Sequence, residues 1–367
     1  MKFQEIFDSP LLRLPKSFAP GKSFRASIDV MFDAYIALFE QVTEGSVKFE
    51  GIKENRSVQS IITVQKKFIE GLRQTLEYYF DGQPAKAYDH FQVTMNSRVR
   101  SFKTLETIRE FGKRESFYRI RIKEDNFALK AREMFHIPFE FRGRVSTQRY
   151  SIPGFPSLYL GKSLYVTWEE LKRPNLDRFQ AVRLESTDNI KCLDLTKPNW
   201  GNNPMKLSAY RYLMIWPLIA ACSIKVTQPA DSFKPEYVLP QLLLQWVRNR
   251  GDIDGILYAS TNISLKPKKP LKNLFNVVLP VKDNKDQGLC NVLCSKFRMT
   301  ASVSRQLLNA SSTAHTRPRT EAELSRIDEK IPPLEIIRGH ESHYRNSELG
   351  KLEMILDEMT TTAITPE

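Results

Sequence analysis

Arg149, Tyr159 and Glu170 fall within one stretch, RYSIPGFPSLYLGKSLYVTWEE. A cation, a phenol and a carboxylate at such spacing can line a small pocket for a polar ligand, provided the backbone folds back between them. The sequence supplies that fold. Pro153, Gly154 and Pro156 fix or free φ in quick succession and exclude a helix. Leu158-Tyr159-Leu160 reads as a short buried strand. Ser163 predicts the cap of a helix that carries Leu164, Tyr165, Trp168 and Leu171, with Glu169 and Glu170 inside it. Neighbouring helix positions lie about 100° apart, so only one of the two glutamates can face the pocket squarely. The plain alternative is an ordinary βα unit with a solvated glutamate pair.

Helices and strands elsewhere must position this stretch. From Ser23 the spacing of Ile28, Met31, Phe32, Tyr35, Ile36 and Phe39 predicts one amphipathic helix. The run from about Ser57 to Phe80 predicts a second, ended by Asp81-Gly82, and Pro84 opens a third. These form an antiparallel helical bundle, residues 1–110. From Glu115 the period shortens, and Ser116–Ile122 alternates as a half-buried strand. Further strands are predicted at Ala181–Leu184, Ile190–Leu195, Ile253–Ala259 and Leu274–Pro280, and helices at Leu207–Cys222, broken near Pro217, and at Pro240–Arg250. No GxGxxG or P-loop occurs, and the elements keep no strict βαβ rhythm. An α+β domain with a mixed sheet over residues 111–296 is expected. Residues 297–367 read as a polar linker and an acidic helical tail, with helices at Glu321–Lys330 and Ser347–Met359.

The chain has 367 residues and a net charge of +13. Between Ser97 and Tyr150, fourteen Lys or Arg stand against seven Asp or Glu, and Thr261–Lys285 holds six lysines and one aspartate. A positive body suits a phosphate-bearing ligand, nucleotide or nucleic acid, although solubility alone would explain it too. From Pro318 the balance reverses, six positive against eleven negative. The tail is therefore expected to dock on the body by surface electrostatics and to limit access to the pocket. The apolar run Leu213–Cys222 is about half of what a bilayer span needs, and no signal peptide is visible, so the expectation is a cytoplasmic protein without a membrane partner. Cys192, Cys222, Cys290 and Cys294 form no disulfide framework and no zinc pattern, so no metal is expected.

Tyr118-Arg119, RYSIPGFPSLYLG, the WEE of Trp168–Glu170, IWPLIAACS, EYVLPQLLLQW and DGILYAS together resemble the RES-domain family, named for an arginine, a glutamate and a serine. The resemblance covers about Phe117 to Pro280. It implies a fold like that of ADP-ribosyltransferases and an enzyme that consumes NAD as a toxin or bacterial defence effector. It also implies a protein inhibitor of antitoxin type and, if the reaction is a transfer, a protein acceptor. By motif, Glu170, Ser260 and Arg119 would be catalytic, and Arg119, Arg149, Tyr159 and Ser260 would bind NAD, with no metal. Glu169 is the rival of Glu170. Where family members carry Gly-Arg-Trp/Phe-Asn, this chain has Gln148-Arg149-Tyr150-Ser151, and about ninety residues separate Glu170 from Ser260.

The resemblance fits the chemistry. Nicotinamide leaves NAD from an already positive state, so its departure needs no general acid. A carboxylate beside the ribose and arginines on the pyrophosphate would suffice. Two other readings stand beside it. Arg338 and His343 have a spacing similar to helical ribonucleases of the HEPN type, which would make RNA the partner, and an inert pocket would make the chain an interaction protein.

Overall fold

The structure is a computed structural model that describes residues 1–19, 21–101, 107–123, 127–201, 203–261, 274–311, 320–331, 333–337 and 339–367. It falls into two compact units. The first comprises Met1–Ile108, Thr147–Tyr150 and Asp194–Asn249; the second comprises Arg109–Ser146, Ser151–Leu193 and Arg250–Glu367. Asp194–Asn249, expected within the sheet domain, clusters with the N-terminal helices.

The first unit is helical. Helix α1 (Phe24–Glu40) starts at Ser23, whose side chain accepts from the Ala26 N–H, and α2 (Val58–Phe80) starts at Ser57 in the same way. Each buries the face its periodicity foretells, with Phe32, Tyr35 and Phe39 on α1 and Phe68, Leu72 and Leu76 on α2. Helix α3 (Pro84–Ser101) follows. It approaches α2 at Gly71, where a Cβ would meet the Thr94 side chain at 2.6 Å.

The expected break at Pro217 is absent. Leu207–Cys222 is one continuous helix, α4. A proline inside a helix lacks the N–H that would bond the carbonyl four residues earlier, here that of Leu213. That carbonyl is taken instead by Tyr35 Oη at 2.5 Å and by Gln65 Nε2 at 3.1 Å. Two side chains thus replace one missing backbone bond, and the helix continues.

The second unit is built on a nine-stranded sheet and makes the protein α+β, as expected. In chain order its strands are β1 (Ile108–Phe111), β2 (Ser116–Ile122), β3 (Ser157–Gly161), β4 (Phe179–Ser186), β5 (Ile190–Asp194), β6 (Gly255–Ala259), β7 (Phe275–Pro280), β8 (Phe297–Met299) and β9 (Thr362–Ala363). Across the sheet they run β9-β8-β4-β2-β3-β7-β6-β5-β1. Side chains alternate between two cores. Phe117, Leu158, Leu160, Val182, Leu257 and Val277 fill one. Tyr118, Ile120 and Ala181 meet Leu164, Tyr165 and the C-terminal residues Tyr344, Leu349, Leu352 and Leu356 in the other.

The C-terminal segment is therefore part of this unit, not a tail held by surface charge. Phe297–Met299 and Thr362–Ala363 are strands of the sheet, and the helix Glu348–Glu358 buries Leu349, Leu352 and Leu356. Hydrogen bonds add to this apolar contact. Arg183 donates from Nε to Leu356 O at 2.9 Å and from Nη2 to Met359 O at 2.8 Å, and Tyr118 Oη bonds Asp357 at 2.5 Å. Among the described residues, no helix is long and apolar enough to cross a membrane, and the four cysteines are buried.

Candidate active site around Glu170

The helix that carries Glu170, α5 (Leu164–Glu170), follows β3 directly. Gly161 makes this approach possible, since a Cβ there would meet Thr167 Oγ1 at 2.3 Å and the Ser163 carbonyl at 3.0 Å. The start of the helix is secured twice. Ser163 accepts from the Val166 N–H. Glu353, on the C-terminal helix, accepts from the Leu164 N–H at 2.8 Å and from Tyr344 Oη at 2.7 Å. A carboxylate at a helix N-terminus also meets the positive end of the helix dipole.

At the other end the two glutamates separate. Glu169 is buried and bound by Arg173, with Nη2 on Oε1 at 2.7 Å and Nε within 3.1 Å of both carboxylate oxygens. Burial and this carboxylate raise the Tyr165 phenol above its ordinary pKa. Lys172 and Arg173 both adopt positive φ, 61° and 57°, a conformation that costs each roughly 1–2 kcal/mol. The turn is held by Arg173, whose N–H bonds Trp168 O at 2.9 Å and whose guanidinium lies over the Trp168 ring. Glu169 thus closes the helix end.

Glu170, half-buried, turns to the sheet. Ser260, at the end of β6, donates its hydroxyl to Glu170 Oε2 at 2.5 Å. Asn276 of β7 donates Nδ2 to the same oxygen at 3.2 Å. Ser260 and Asn276 are 7% and 4% exposed, so these bonds are made away from bulk water. Asn276 stands opposite Gly161 of β3, and Tyr159 opposite Val278, so Tyr159 and Asn276 are diagonal neighbours on one face. The Tyr159 hydroxyl lies 2.8 Å from Ser151 Oγ.

Arg119 points to the opposite face, in register with Val182. Strands β2 and β4 pair from Ser116 to Ile122, whereas β2 and β3 pair in register at Tyr118↔Gly161. The guanidinium reaches this junction, and Nη1 donates to Tyr159 O at 2.7 Å. Its Nε is buried without a hydrogen-bond partner, as is that of Arg121. Burial first, and Arg121 after it, lower the Arg119 pKa to about 9 against a partial offset from Tyr159. A buried cation so placed is relieved by an anion.

Arg149 belongs to the first unit, where its fork closes the C-terminus of α4. Nη1 donates to Cys222 O at 2.9 Å and Nη2 to Ile224 O at 2.8 Å, while the guanidinium lies 5.3 Å from the Tyr237 ring. His343 is exposed and faces Asp328 at 3.3 Å, a carboxylate that Arg345 also binds at 3.0 Å; Arg338 and the lysines of 262–273 lie outside the described residues.

The structure thus brings Glu170, Ser260 and Tyr159 to one side of the sheet; of the two arginines expected to bind NAD, Arg119 points to the other face and Arg149 is engaged by the Cys222 and Ile224 carbonyls. Sequence reasoning missed Asn276 and Ser151. The first carries a visible signal, a lone amide in the otherwise apolar run Leu274–Pro280.

Compared with curated proteins, the chain is 34% identical over 319 residues to a Bacillus subtilis (strain 168) protein named "Putative toxin YopC", a match spanning 81% of this chain and 69% of that one. No protein-family model matches the chain, and neither does any solved structure.

Proposed function

The chain belongs to the YopC family, and from that premise we propose that it is a toxin-type enzyme of RES kind that cleaves the nicotinamide–ribose bond of NAD. The observation that carries this reading is the Ser260–Glu170 hydrogen bond. It joins two residues far apart in sequence that the RES resemblance independently pairs.

In this reading the C1′–N bond breaks and its electron pair returns to the nicotinamide ring, which leaves neutral. Positive charge then develops on the ribose, and Glu170 stabilises it. Because the carboxylate is already oriented by Ser260 and Asn276, little reorganisation is needed as that charge appears. Arg119 lies on the opposite face of the sheet and donates to the Tyr159 carbonyl, so its part in this reading is to hold the strand that carries Tyr159. Tyr159 covers the ribose or nicotinamide. An acceptor oxygen, from water, phosphate or a protein side chain, forms the new C1′–O bond and gives up its proton. A protein inhibitor of antitoxin type would accompany such a toxin.

The test is to incubate the purified chain with NAD, with and without phosphate, and to identify the products. Release of nicotinamide is expected, and the companion product distinguishes hydrolysis from phosphorolysis. Intact NAD together with degraded RNA would replace this reading with the nuclease one.

A further inference from the structure

Asn276 stands alone in its strand. The other residues of Phe275–Pro280 are apolar and the whole strand is buried. An amide in such a setting is unfavourable unless bonded, and asparagine is a poor strand former. Nothing in the sheet ladder calls for that side chain, because the ladder uses backbone groups. Its hydrogen bond runs from Nδ2 to Glu170 Oε2, the oxygen that also takes the Ser260 hydroxyl. Two donors on one oxygen restrict the last torsion of the glutamate, which is otherwise broad. They are not equivalent. A hydroxyl rotates about its own C–O bond and can follow the carboxylate, whereas the planar Asn276 amide projects from a strand paired on both sides, opposite Gly161 and Tyr258.

We propose that Asn276 is a positioning residue of this site, which fixes the direction in which the Glu170 carboxylate is turned. The inference rests on Glu170 being the reacting carboxylate of the proposed NAD site. On the elements concerned, Glu169 turns to Arg173, and the phenols of Tyr159 and Tyr258 are the other titratable groups on this face of β3 and β6.

Two variants test it, Asn276→Leu, which removes the amide and keeps the branching at Cγ, and Asn276→Asp, which keeps the shape and adds a second acid. Glu170 is followed by carbon-13 NMR of glutamate-labelled protein, its signal identified by loss in Glu170→Gln. Removing a donor from the charged form should raise the Glu170 titration by about one pH unit in Asn276→Leu. Asn276→Asp should raise it further, because two carboxyl groups at that distance share a proton. In NAD turnover, kcat of Asn276→Leu should fall by roughly tenfold with KM little changed. An unchanged Glu170 titration in Asn276→Leu overturns the proposal; if that variant does not fold, an unchanged titration in Asn276→Asp does so. Shifted titrations in a protein that leaves NAD intact would keep the positioning role and remove the NAD reading.

Discussion

The two units use buried polar side chains in opposite ways. In the helical unit, Tyr35 and Gln65 both serve the carbonyl of Leu213 that Pro217 leaves without its helical partner. In the sheet unit, Ser260 and Asn276 both serve a side chain, the half-buried carboxylate of Glu170. Each arrangement places two donors on one oxygen. The first repairs a backbone, and nothing about it requires a ligand. The second orients an acidic side chain that is still partly open to solvent. Buried donors spent on another side chain's charge are the stronger pointer to chemistry.

The largest expected effect tests whether the sheet unit needs its C-terminal helix. Leu356 is fully buried, and Leu356→Ala should cost about 4 kcal/mol through lost contact and a cavity. Denaturant unfolding would measure it. A cost below about 1 kcal/mol would return the segment to the role of a loosely held tail.

Acid separates the units next. His136 is fully buried, accepts the Cys290 N–H at Nε2 and faces Ile137 O through Nδ1. Burial lowers its pKa from 6.5 to about 4; Ile137 O partly offsets this, and Arg119 and Arg121 add to it. The unfolded chain therefore takes up the proton first. This contribution is complete above the unfolded pKa and is lost as pH falls toward the folded one, by about 3 kcal/mol in all. Hydrogen exchange at decreasing pH should show the sheet unit loosening over that window, and His136→Gln should flatten the dependence.

Glu170→Gln keeps the shape of the site and removes its charge. NAD turnover should fall by about a hundredfold or more, close to 3 kcal/mol, with little change in NAD affinity. Glu169→Gln should instead lower stability, since it releases Arg173 and the strained turn. If Glu169→Gln abolished turnover and Glu170→Gln did not, the two glutamates would exchange roles.

The smallest effect sharpens the helical side. Tyr35→Phe removes one of two donors to Leu213 O and should cost about 1 kcal/mol in unfolding, with turnover unchanged. In a Pro217→Ala background the helix regains its own donor, and the same substitution should cost less.

Local features were legible in the sequence because they depend on near neighbours. The caps at Ser23, Ser57 and Ser163, the apolar faces of α1 and α2, the strand Ser116–Ile122 and the turn through Pro153 and Pro156 follow from spacing and backbone preference, although that strand is buried on both faces and not on one. The α+β class followed from their order. What periodicity cannot carry is which distant groups meet. The rescue of Leu213 O by Tyr35 and Gln65, the burial of the C-terminal helix beside Tyr118, and the hydrogen bond of Glu170 to Ser260 each depend on a partner at least several dozen residues away. For the two glutamates the sequence offers the same side chain at adjacent positions. The turn at Lys172 and Arg173 engages Glu169 and the strand that carries Asn276 engages Glu170, because a carboxylate turns to the donors that surround it.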